Sequence, residues 1–134
     1  MTGKLNITVM LGGPSAEREV SLRSGAAVSA ALRGRGHEVR ELDPSEAEWS
    51  LPEGTEVVFL AGHGAYGEDG TLQAELDGLG VAYTGCDAES SRVAFDKVLT
   101  KEAFEKSGVP TPPYSVLTRG STPDLSTEFK PPVV

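Results

Sequence analysis

A single cysteine, Cys86, stands among 134 residues. It has no partner for an internal disulfide and cannot build a cysteine-based zinc site. A reducing cytoplasm is therefore the simplest compartment to expect. Histidine is nearly as scarce, with His37 and His63 alone, and neither has the carboxylate spacing of a metal site. Basic residues are in the minority: 12 Lys and Arg against 20 Asp and Glu leave a formal charge of −8. A nucleic-acid surface needs a basic stripe, and an anionic membrane surface asks for the same sign, so both partners are disfavoured. No apolar run approaches the length of about 18 residues that a spanning helix needs. Met1-Thr2-Gly3-Lys4 leads straight into a short apolar block, without the ordered regions of a secretory signal. The hydrophobic fraction is low, at 38%, yet the apolar residues gather in blocks, which argues against wholesale disorder. Glycine and proline are plentiful, 16 and 9 residues, so loops take a large share. The length suits one domain with one sizeable core.

The apolar blocks alternate in kind. Leu5 to Leu11 reads as a strand, nearly continuous in apolar character, as a strand buried on both faces would be. Gly12-Gly13-Pro14 breaks it. Ser15 is the expected N-cap of a helix running to about Arg33, with Glu17 and Glu19 in its first turn. Val20, Ala27, Val28, Ala31 and Leu32 share one face at helical spacing. The small residues Ser24 to Ala27 would let that helix pack close to a sheet. Glu38 to Leu42 reads as a second strand and 43–55 as an irregular crossover. Glu56 to Ala61 is the strongest strand. A glycine-rich loop, Gly62 to Gly70, precedes a short helix at Thr71 to Leu79, which Asp69 or Thr71 would cap. A fourth strand follows at Val81 to Thr84, then a helical stretch from Glu89 to Lys106 with a break near Phe95-Asp96. Gly108 to Tyr114 is a stiff proline-rich connector, with a possible strand at Tyr114 to Leu117. Gly120 to Ser126 is polar. Lys130 to Val134 opens an apolar run that stops as it begins, the pattern of a chain that continues.

Strands alternating with helices imply right-handed βαβ units around a parallel sheet. Ligands bind such sheets beyond the carboxyl ends of the strands, and both glycine loops lie at such ends. The first, Gly12 to Ser21, lacks the third glycine of a dinucleotide fingerprint, because Glu17 stands there. Glu17 also breaks the pattern of a hydrolase nucleophile elbow around Ser15. Two acids at a helix start would repel a phosphate, and they complement the helix dipole. Glu17 there either holds a cationic group such as an ammonium or merely stabilises the helix. His63, directly after the third strand, either donates a hydrogen bond to a ligand carboxylate or fixes its own loop. Lys97 and Lys101 share a helix face and either meet an anion or are solvated.

Together these stretches resemble the N-terminal domain of D-alanine–D-alanine ligases. The resemblance is carried by Gly12 to Leu22 with Ser24-Gly25, His63-Gly64, Gly67 to Gln73, Tyr83-Thr84-Gly85, Asp96-Lys97 and Gly108-Val109-Pro110, and it covers residues 5 to about 118. It departs from the family at Gly62, where Leu is frequent, and at Cys86, where a small residue such as Ser is common. The resemblance implies a Rossmann-like, pre-ATP-grasp domain over 1–108, and a connector over 109–134 that starts an ATP-grasp domain. It implies ATP-dependent synthesis of D-alanyl-D-alanine for peptidoglycan through an acyl phosphate, with Mg²⁺ or Mn²⁺ on the phosphates. It likens Glu17 to the glutamate that holds the first D-alanine's ammonium, His63 to the histidine lining that pocket, Val20 to an apolar wall beside it, and Lys97 to a lysine that reaches the ATP phosphates.

The resemblance further implies a cytoplasmic homodimer joined through this domain. ATP-grasp residues would follow where Val133-Val134 ends, so the 134-residue chain alone is expected to carry no ligase activity and no bound cofactor. The rival readings are a stand-alone small-molecule module and a nucleotide-binding Rossmann or flavodoxin-like protein. A ligase making D-alanyl-D-lactate fits this stretch equally. The expected architecture is a three-layer α/β domain of four mainly parallel strands in the order 2-1-3-4, with helices on both faces. That order would bring Glu17 and His63 to one mouth.

Overall fold

The computed structural model describes residues 3–45 and 48–120. The apolar run expected at 130–134 and most of the polar stretch from 120 lie outside the described residues. By contacts the chain divides between Asp96 and Lys97 into two compact units. The first holds β1 (Asn6–Met10), α1 (Arg18–Gly34), β2 (Glu38–Leu42), β3 (Val57–Leu60), α2 (Thr71–Leu79), β4 (Ala82–Tyr83) and α3 (Ala88–Phe95). The second begins with α4 (Lys97–Lys106).

The four strands form one parallel sheet in the order β2-β1-β3-β4, as the sequence suggests. Side chains alternate across it. Ile7, Val9, Leu11 and Ala61 face one way and meet Leu22, Val28 and Leu32 of α1. Met10 and Val58 face the other way and meet Leu72 and Leu76 of α2, with Trp49 and Leu51 of the crossover beside them. Helices therefore cover both faces, in three layers.

The buried stripe of α1 differs from the expected one. Ser21, Gly25 and Ser29 are buried, Leu22, Val28 and Leu32 flank them, and Val20, Ala27 and Ala31 are exposed. Small residues win the contact because the helix backbone lies close to β1. A Cβ on Gly25 would stand 2.7 Å from Leu11 Cδ2. The expected break at Phe95-Asp96 is present: Asp96 ends α3 in an extended conformation, φ −87° and ψ 115°. Asp87 caps α3 by accepting the Ser90 N–H at 2.7 Å. In the second unit, Tyr114 to Leu117 forms no strand. It follows Pro112 and Pro113, which offer no N–H to a ladder. Among the described residues no helix is long and apolar enough to cross a membrane.

Candidate functional site

The sheet order reverses between β1 and its neighbours β2 and β3, so the loops leaving β1 and β3 part at a switch point. Ser21 joins the two strand ends. Its hydroxyl donates to the Ala61 carbonyl at 2.6 Å and accepts the Gly12 N–H at 2.8 Å. Asp43, just beyond β2, braces the same loop from the other side. Its carboxylate accepts the Gly13 N–H at 2.9 Å and pairs with both terminal nitrogens of Arg18, at 2.9 and 2.6 Å. The Arg18 guanidinium, helped by the Gly13 N–H, holds the Asp43 carboxyl below its ordinary range. Gly12 must be glycine here: its φ is +81°, and a Cβ would come within 2.6 Å of both Arg18 and Asp43.

The first loop then turns into α1. Ser15 is not the helix cap. Glu17 occupies that position, without a side-chain cap bond, and the Ser15 hydroxyl is used elsewhere. It donates to the His63 carbonyl at 2.7 Å and accepts the Glu17 N–H at 3.1 Å. One hydroxyl, 48 residues from His63 along the chain, thus ties the backbone of Glu17 to that of His63. The Glu17 carboxylate lies over Gly64, where a Cβ would be 2.6 Å from its Oε2. Glu17 is exposed, and its carboxylate makes no ion pair among the described residues.

On the facing loop, Gly64 donates its N–H to Glu68 Oε2 at 2.8 Å. The other oxygen of Glu68 lies 3.6 Å from His63 Nδ1, and His63 Nε2 lies 3.4 Å from Ser24 Oγ on α1. The ring is thereby directed back toward the helix that carries Glu17. Val20, 43% exposed, sits one turn after Glu17. Lys97 opens α4 in the second unit and is exposed. Its companion Lys101 is engaged: it donates to the Pro112 carbonyl at 2.8 Å and stands 5.2 Å from the Tyr114 ring centre.

The loop itself is tightly determined. Neither expected cap residue, Asp69 or Thr71, occupies the cap position of α2, although Asp69 accepts the Thr71 N–H at 3.0 Å. Burial pushes the Asp69 carboxyl up, but the backbone N–H groups of Tyr66 and Thr71 outweigh this and hold it below its ordinary range. Gly70, left-handed at φ +90°, takes the cap position of α2. Tyr66 has φ +72°, the only non-glycine among the described residues with positive φ. Such a conformation costs about 1–3 kcal/mol. The Tyr66 hydroxyl accepts from Trp49 Nε1 at 2.7 Å and donates to Glu75 Oε2 at 2.7 Å. Burial first, and then the Glu75 carboxylate, push this phenol up to about 12.

Between the two loops lies a narrow cleft of about 10 Å³, room for about one water, walled by Gly12, Gly13, Pro14, His63, Ala65 and Tyr66 among others; Glu17 and Val20 lie outside its lining. An exposed carboxylate at a helix start and an imidazole on the adjoining loop are groups of the kind that suit the two ends of a small zwitterion. Among the described residues no three His, Cys, Asp or Glu are placed to hold a metal ion. Sequence reasoning gave no role to Ser21, Ser24, Asp43, Glu68 or Tyr66. Ser21, Ser24 and Glu68 lie in the stretches that carry the family resemblance and Tyr66 lies in the glycine loop, while Asp43 gave no signal.

Comparison with known proteins shows what the chain as a whole is similar to. Residues 40–86 match a family model described as D-ala D-ala ligase N-terminus. A D-alanine–D-alanine ligase of Methylacidiphilum infernorum is 43% identical over 129 residues, covering 96% of this chain and 41% of the relative. A crystal structure of D-alanine–D-alanine ligase from Aeromonas hydrophila superposes with a TM-score of 0.78 at 30% identity, over 92% of this chain and 54% of that one. The Bacillus anthracis ligase, in a structure complexed with ATP, gives a TM-score of 0.72 at 32% identity, over 84% of this chain and 38% of that one. The chain spans about two fifths of the length of the curated relatives it matches, 41% and 35% for two of them.

Proposed function

Because the chain corresponds to the N-terminal domain of D-alanine–D-alanine ligases, we propose that it holds the first D-alanine of an ATP-dependent ligase between Glu17 and His63. The observation that carries this reading is the Ser15 bridge, which joins the Glu17 and His63 backbones at the mouth of the sheet. Glu17 accepts the ammonium of D-alanine. His63 donates to its carboxylate and so aims that group away from the helix start. Val20 offers an apolar contact for the methyl group. Gly64 makes room for the Glu17 carboxylate, and Glu68 holds the Gly64 backbone in place.

In the complete enzyme, ATP supplies the phosphoryl group that activates the first carboxylate, and Mg²⁺ offsets the phosphate charge. The acids at the start of α1 do not suit phosphate, and the described residues form no metal cluster. The part of this chain is therefore to bind and orient the amino acid, with Lys97 alone directed to ATP. Residues 1–108 act as the substrate domain and 109–134 as the connector to an ATP-grasp part. By itself the chain makes no dipeptide. The complete enzyme is a cytoplasmic homodimer that serves peptidoglycan synthesis.

The test is D-alanine-dependent phosphate release from ATP by the complete gene product, with Glu17→Gln beside it. A charge-assisted hydrogen bond contributes about 1.5–3 kcal/mol, so the variant should lose about 10- to 100-fold in kcat/KM for the first D-alanine. Absence of D-alanine-dependent release from the folded product would overturn the reading, as would turnover by the 134-residue chain alone.

A further inference from the structure

Tyr66 lines the cleft beside His63, yet it has no part in the binding of D-alanine described above. A bulky residue with left-handed backbone is an outlier, and it persists only where its surroundings over-determine it. Here every polar group of the residue is engaged. Its N–H donates to Asp69 Oδ2 at 2.8 Å, and its carbonyl accepts the Leu72 N–H at 3.2 Å. Its ring packs in the core with Met10, Val58 and Leu72. Its hydroxyl joins two groups that have no other way to meet through it: the Trp49 indole can only donate, and the ionised Glu75 carboxylate can only accept. Trp49 comes from the crossover before β3 and Glu75 from α2. Three separate segments therefore converge on one phenol oxygen, two residues from Gly64 and three from His63.

We propose that Tyr66 is a positioning residue for the amino-acid site: its hydroxyl, held between Trp49 and Glu75, keeps residue 66 left-handed and so presents His63 and Gly64 to Ser15 and Glu17. This rests on the reading of Glu17 and His63 as the D-alanine site. The hydroxyl touches no substrate. It sets the turn whose neighbouring peptide, Gly64, is gripped by Glu68 and covered by the Glu17 carboxylate.

Three variants test it. Tyr66→Phe keeps the ring in the core and removes both hydroxyl bonds. Glu75→Leu, on an exposed turn of α2 and with a good helix former, removes the acceptor without touching the cleft. Glu75→Gln keeps an acceptor. In the 134-residue chain, which has one tryptophan, the indole N–H resonance of Trp49 and the amide resonances of His63 and Gly64 are followed. In the complete gene product, KM and kcat for the first D-alanine are measured. Tyr66→Phe and Glu75→Leu should move all three resonances and raise KM about fivefold, with kcat changed less than twofold. Glu75→Gln should stay near wild type. Unmoved His63 and Gly64 amides, or moved amides with wild-type KM, would overturn the proposal. If Tyr66→Phe does not fold, Glu75→Leu decides alone. Moved amides in a product that shows no D-alanine-dependent turnover would refute the D-alanine site, and with it the positioning role, while leaving Tyr66 as the latch of its loop.

Discussion

Ser21 and Ser29 lie two turns apart on α1, both 0% exposed, and their replacement by alanine should have opposite effects. The Ser21 hydroxyl satisfies a buried N–H at Gly12 and a buried carbonyl at Ala61, at 2.8 and 2.6 Å. Ser21→Ala leaves both without that partner. A buried polar group left unsatisfied costs about 1–3 kcal/mol, so with some local relaxation the pair should cost about 2–4 kcal/mol. The Ser29 hydroxyl has no hydrogen-bond partner among the described residues. Ser29→Ala removes a desolvated group that gains nothing in return, and alanine is the better helix former by a few tenths of a kcal/mol. That variant should be more stable by about 0.5–2 kcal/mol. Urea unfolding followed by circular dichroism separates the two. With a slope of about 1–3 kcal/mol per molar urea, Ser21→Ala should lower the midpoint by about 1 M, and Ser29→Ala should raise it. Helix propensity alone would stabilise both variants. Midpoints that move in the same direction, or a loss below about 0.5 kcal/mol at Ser21, would refute the claim that Ser21 staples the two strand ends.

Two further substitutions probe the packing and the brace around the same mouth. Gly25→Ala gains up to about 1 kcal/mol in helix propensity. Its new Cβ, however, lands 2.7 Å from Leu11 Cδ2 and close to Leu11 Cβ as well. Overpacking costs about 1–3 kcal/mol, so a lower melting temperature is expected, and a higher one would show that α1 can back away from the sheet. The Asp43 carboxyl is held below its ordinary range by Arg18, so its folded pKa lies beneath the unfolded value of about 3.9. Its contribution is then fully present above that value and is lost as the pH falls through the folded pKa. The stability gap between wild type and Asp43→Asn should be widest near neutrality and should close as the pH drops below about 4. A gap that widens in acid would contradict the Arg18 pairing.

Most of the scaffold is written locally. Glu38 to Leu42 and Thr71 to Leu79 are set off by the turn residues around them and fold with those bounds. The strand order is not encoded in any one segment; 2-1-3-4 is the order that sets the two glycine loops side by side at a switch point, and the sheet has it. The face of α1 was not legible, because apolar periodicity favours Val20, Ala27 and Ala31, while the actual contact is decided by backbone distance. Where a helix approaches a sheet closely enough to exclude a Cβ at Gly25, serine and glycine become the core and valine is left outside. Apolar pattern also misled at Tyr114 to Leu117, where the preceding prolines remove the donors a ladder needs.

In the site, legibility follows the kind of work a residue does. Glu17 and His63 stood out because a charge at a helix start and an imidazole after a buried strand are chemical signals in their own right. Ser15, Ser21, Asp43 and Tyr66 act by hydrogen-bonding other segments, 48, 40, 30 and 17 residues away along the chain respectively. No local spacing encodes such bonds, since each depends on which segment the fold delivers to the hydroxyl or carboxylate. The two classes should therefore separate by experiment. Removing the charge of Glu17 should weaken amino-acid binding and leave unfolding nearly unchanged, because that carboxylate is exposed and makes no ion pair among the described residues. Removing the Ser21 hydroxyl should lower stability, because the cohesion of the two strand ends depends on its two hydrogen bonds.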